Sequence, residues 1–64
     1  MSDDFNMSMR KFLKQVGVTS QQAIEEAMRN TDNTSGRSFE ARIELTIPEL
    51  GVHHVVTGQI KGQQ

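Results

Sequence analysis

The spacing of apolar residues changes once along this chain, and the change divides what each half can fold into. As far as Met28 the apolar positions recur at helical intervals; from Phe39 onward they alternate with polar ones, which is the period of a strand. In the first half Phe5, Met9, Phe12, Leu13 and Val16 sit at i, i+4, i+7, i+8 and i+11, which gathers them on one helix face. Arg10, Lys11 and Lys14 fall on the opposite side. In the second half Phe39, Ala41, Ile43, Leu45 and Ile47 alternate with Glu40, Arg42, Glu44 and Thr46, giving a strand with one dry face.

The helical half contains a stop and a start signal with little between them. Gly17 is the residue type that ends a helix in the left-handed conformation, since it has no Cβ to clash. With Gly17 just past the end, Val18 would meet Leu13, the apolar contact of a Schellman ending, and Lys14 would complement the helix dipole. Thr19 can cap a second helix and Gln22, three residues on, can complete a capping box. The spacing therefore predicts one helix over about 4–16 and another over about 20–29, with Ala23, Ile24, Ala27 and Met28 facing the first. Glu25 and Arg29 form an i, i+4 pair on the wet side.

Asn30-Thr31-Asp32-Asn33-Thr34-Ser35-Gly36 contains no apolar residue and reads as a mobile connector, extending over 30–37. Pro48-Glu49-Leu50-Gly51 reads as a turn between two strands, with glycine at the left-handed position. A four-residue loop there pairs Ile47 with Val52, Leu45 with His54, Ile43 with Val56, Ala41 with Gly58 and Phe39 with Ile60. Every apolar residue of the first strand then faces a partner on the same side, which sets the register of a hairpin over about 38–61. The fold class expected is α+β in the order α-α-β-β. Two helices form a tight helical hairpin, followed by a two-stranded antiparallel β-hairpin whose dry face can lie on the helices, all in a single small domain over residues 1–64.

A chain of 64 residues lies near the lower limit for independent folding. It has no cysteine, so neither disulfides nor thiolate metal sites can staple it. The remaining remedy is self-association. The outer edges of both strands stay unpaired unless another chain covers them, which predicts a homodimer through strand edges. Val55 is the apolar exception on the outer face; Val55 and Thr57 form a candidate interaction surface, and the cations Arg10, Lys11 and Lys14 are a second candidate for an acidic partner or anionic lipid. No apolar run approaches the ~18 residues a membrane span needs. The acidic start Met1-Ser2-Asp3-Asp4 has the wrong sign for a signal peptide, so a cytoplasmic location is expected.

Two further groups of residues suggest sharper functions. Gly17-Val18-Thr19 between two helices resembles the turn of a helix-turn-helix, with the β-hairpin as a wing, so the alternative function is a winged-helix-like nucleic-acid binder. Against it, bulky Leu13 stands four residues before the glycine, Ala23 and Glu26 stand where apolar residues belong, and the second helix carries Glu25 and Glu26. A net charge of −1 and a pI near 6.0 also disfavour a nucleic-acid partner. His53-His54 suggests a metal, but neighbours on a strand point to opposite faces and cannot share one ion within a chain. No nucleophile is paired with a base at a recognisable spacing, and no phosphate loop or catalytic motif is present. No catalytic residue, metal or cofactor is therefore expected. The composition points to a small soluble, non-enzymatic protein-protein interaction module that associates with itself, with the identity of any other protein partner unknown.

The stretch Phe5-Asn6-Met7-Ser8-Met9-Arg10-Lys11-Phe12-Leu13-Lys14-Gln15-Val16-Gly17-Val18-Thr19-Ser20-Gln21 resembles the start of a small, uncharacterised, mostly proteobacterial protein family. The similarity extends loosely through Ile43-Glu44-Leu45-Thr46-Ile47. It implies a freestanding domain of about this length and brings no activity, cofactor or catalytic residue.

Overall fold

The computed structural model describes residues 2–62. The chain divides into two compact units, Met1–Asp32 and Asn33–Gln64. The first is a single α-helix, α1, running from Asp3 to Arg29. Ser2 is its N-cap, with extended backbone and a hydroxyl that accepts from the Phe5 N–H at 3.2 Å. This satisfies one of the free amides that every helix start leaves. Asp3 and Asp4 in the first turn and Arg29 in the last complement the helix dipole. At the far end Asn30 N–H donates to the Glu26 carbonyl at 3.1 Å and Thr31 N–H to the Met28 carbonyl at 3.3 Å. The Thr31 hydroxyl adds a bond to the Ala27 carbonyl at 2.8 Å, so the last turn is closed by both backbone and side chain.

One continuous helix replaces the expected helical hairpin of 4–16 and 20–29. Gly17 does not terminate it: among the described residues the glycines with positive φ are Gly36 and Gly51. Thr19 does not cap a second helix either. Its hydroxyl donates back to the Gln15 carbonyl at 2.8 Å, with a longer approach to the Val16 carbonyl at 3.5 Å, which is how a threonine behaves inside a helix. The energetic comparison favours continuity. A glycine in a helix interior costs about 1 kcal/mol relative to alanine, whereas a break leaves up to four amides and four carbonyls needing other partners. The apolar pattern agrees, because its phase is kept across Gly17. Ala23 and Ala27 lie seven and eleven residues beyond Val16, on the same face of one uninterrupted helix.

The second unit holds two antiparallel strands, β1 (Ser38–Ile47) and β2 (Val52–Lys61). They are joined by a single 3-10 turn, Pro48–Leu50, and Gly51 in the left-handed region at φ 66°. Gly51 N–H donates to the Pro48 carbonyl at 3.1 Å and closes the turn. The register is the one the alternation predicts: Phe39↔Ile60, Ala41↔Gly58, Ile43↔Val56, Leu45↔His54 and Ile47↔Val52 share one face. The opposite face carries Glu40↔Gln59, Arg42↔Thr57, Glu44↔Val55 and Thr46↔His53.

Residues 33–37, read from sequence as part of a mobile connector, are bound to the hairpin. Asn33 adopts φ 60° and Gly36 φ 76°. They shape a turn in which Arg37 N–H donates to the Thr34 carbonyl at 3.1 Å. Gly62 N–H then donates to the Arg37 carbonyl at 2.7 Å, tying the end of β2 to this turn. A Cβ on Gly62 would overlap the Thr34 carbonyl, so only glycine fits there. Thr34 is buried, at 7% exposure. The Arg37 guanidinium lies 4.7 Å from the Phe39 ring centroid and donates to the Asn33 carbonyl at 3.3 Å. Among the described residues no apolar side chain is buried.

Candidate interaction surface

The helix presents an apolar stripe. Phe5, Met9, Phe12 and Leu13 are 42–51% exposed, and Ile24 further along is 38% exposed. Val16 and Ser20, midway along the stripe, are half-buried. Such a stripe on a surface helix ordinarily faces a core. Helices of this kind owe most of their stability to that packing and little to propensity, so a bare one is marginal in water.

Arg10, Lys11 and Lys14 stand away from the stripe, as the helical spacing predicts. No acidic residue occurs between Phe5 and Ile24, and Glu25 and Glu26 follow immediately. The helix is therefore basic over residues 10–14 and acidic at Glu25 and Glu26. Glu25 accepts from the Gln21 amide at 3.4 Å.

Val55 and Thr57 lie on the polar face of the hairpin, opposite Glu44 and Arg42. They belong to a different unit from Arg10, Lys11 and Lys14. The polar face also holds a charged cluster that sequence reasoning missed. Glu44 Oε2 meets Arg42 Nη1 at 2.7 Å, and Glu44 Oε1 meets His53 Nε2 at 3.1 Å. Arg42 and Glu44 are two apart on one strand and so share a face, and His53 is diagonal to Glu44 in the predicted register. The signal was thus present in the pairing. His53 lies opposite Thr46 and bonds diagonally to Glu44. These side chains are about half exposed, and exposed pairs of this kind contribute about 0–1 kcal/mol each.

His54 faces Leu45 on the apolar side while His53 faces the other way, so the two adjacent imidazoles do not converge. Among the described residues no three His, Cys, Asp or Glu side chains gather as a metal site would require. The helix-turn-helix reading loses its geometric basis, since no turn separates two helices at Gly17. Among the described residues no helix is long and apolar enough to cross a membrane.

A family model described as a family of unknown function (DUF6494) matches residues 1–63. The chain belongs to that family. The match spans both the helical stretch and the Ile43–Ile47 strand on which the sequence resemblance rested, and it carries no activity or substrate. Comparison with curated proteins and with solved structures found no match for the chain.

Proposed function

We propose that this chain is a non-enzymatic interaction module whose first partner is a second copy of itself. The observation that carries the reading is an exposed apolar stripe along an unbroken 27-residue helix, in a chain whose described residues bury no apolar side chain. Folding a small chain without disulfides requires apolar burial from somewhere, and association supplies it. The hairpin adds to the same need. Its apolar face is open at Ile43 (46% exposed) and Val56 (52%), and a two-stranded hairpin alone is marginal in water. In a two-stranded sheet each strand also keeps one unpaired edge, which offers a route for strand addition at β2, the strand bearing Val55 and Thr57. A cytoplasmic setting belongs to this reading.

The test is the dependence of structure on concentration. Sedimentation velocity and circular dichroism over a dilution series should show a species of at least twice 7.2 kDa that dissociates on dilution, with helix content falling as it does. A single 7.2 kDa species with undiminished helix across the series would refute self-association.

A further inference from the structure

We infer that the occupant of the α1 stripe is α1 of a second copy of this chain, running antiparallel and crossing near Gly17. The inference rests on the self-association reading and adds the surface and the direction.

Gly17 is the first observation. It lies in the middle of α1, where glycine disfavours the helix. Nothing in the described structure requires it: its φ is not positive, and a Cβ built there meets nothing within 4 Å. It stands four residues after Leu13 and seven before Ile24, along the border of the apolar stripe. An uncompensated glycine in that row lets a second backbone approach closely, which a side chain would prevent.

The second observation is a size gradient. The bulky residues Phe5, Met9, Phe12 and Leu13 lie before Gly17, whereas after it the small residues Ser20, Ala23 and Ala27 hold the middle of the stripe and the larger Ile24 and Met28 stand toward its border. An antiparallel pair centred on Gly17 sets residues 12–13 level with residues 21–22 of the other copy. Phe12 and Leu13 then meet Ser20 and Ala23, large against small, which is how close-packed layers fill. A parallel pair would oppose Phe12 to Phe12 and Ala23 to Ala23, crowding one end and leaving voids at the other.

The third observation is charge. In the antiparallel arrangement Glu25 and Glu26 lie level with residues 8 and 9 of the partner, within a turn of Arg10 and Lys11. A parallel pair would place like segments side by side. Size and charge thus select the same direction independently.

The chain has no cysteine, so single-cysteine variants can be spin-labelled cleanly. Labels at Gln15→Cys and Ser8→Cys in the full chain are measured by double electron–electron resonance. The antiparallel pair predicts a short distance at Gln15. At Ser8 it predicts an axial separation of roughly 27 Å, from ~1.5 Å per residue. Short distances at both sites would show a parallel pair, and long distances at both would show association through the strand edges. Either result overturns the inference and leaves self-association standing. Absence of any intermolecular distance overturns both, and helix gained on phosphatidylcholine–phosphatidylglycerol vesicles would then assign the stripe to an anionic membrane. As a second readout, Gly17→Gln should raise the dimer dissociation constant at least tenfold although glutamine is the better helix former in the dissociated chain; unchanged association would refute the crossing at Gly17.

Discussion

A mid-helix glycine leaves the backbone freer in the unfolded chain and lowers helix stability by about 1 kcal/mol relative to alanine. Gly17 carries this cost inside α1 with open space where a Cβ would go. Gly17→Ala should therefore stabilise the helix of the dissociated chain by about 0.5–1 kcal/mol, read by circular dichroism in urea at low concentration. A loss of helix would show instead that Gly17 serves a local bend. Gly62 behaves oppositely, because a methyl there meets the Thr34 carbonyl. Gly62→Ala should open the contact between the 33–37 turn and the end of β2, at a cost of about 1–2 kcal/mol within the usual range for single substitutions. Hydrogen exchange checks this: protection at Gly62 and Arg37 should fall while the centre of the hairpin keeps its own. Loss throughout β1 and β2 would mean that the turn supports the entire hairpin.

At the scale of elements, the two halves differ in how much their residues disclosed. The hairpin was legible because two independent signals agree. Alternation from Phe39 to Ile47 defines a face, and the Pro48–Gly51 turn admits one register that keeps Val52, Val56 and Ile60 on it. The helix was misread because Gly17 and Thr19 have two uses each. Glycine ends helices and also lies within them; threonine caps a helix or bonds back to a carbonyl four residues earlier, as Thr19 does to Gln15. Local chemistry cannot separate these cases. The deciding signal was of longer range: the stripe from Phe5 to Val16 continues in phase at Ala23 and Ala27, which a chain reversal would have no reason to preserve. The Arg42–Glu44–His53 cluster is likewise implicit in the register, but it emerges only when same-face neighbours on both strands are taken together. The cap residues give a further expectation. Ser2→Ala removes the acceptor for Phe5 N–H and should cost about 1 kcal/mol of helix stability, seen as fraying of the first turn by amide exchange. Unaltered protection there would show that Asp3 and Asp4 alone hold the helix start.

For the whole molecule, the central claim is that the apolar faces of this chain are completed by another copy of it. Within its own unit, a 27-residue helix with Phe5, Phe12 and Leu13 about half exposed lacks the burial that helices ordinarily depend on. Replacing Phe12 with glutamine should therefore weaken association far more than it disturbs the hairpin, whose strands pair within the second unit. Chemical shifts in β1 and β2 should persist while the dimer dissociates; a collapse of both together would place Phe12 in the folding of the second unit. The most direct measurement is sedimentation equilibrium of the unmodified chain from micromolar to millimolar concentration. A reversible dimer is expected, with the 7.2 kDa chain appearing only on dilution and losing helix as it does. A fully helical 7.2 kDa species at every concentration would contradict it.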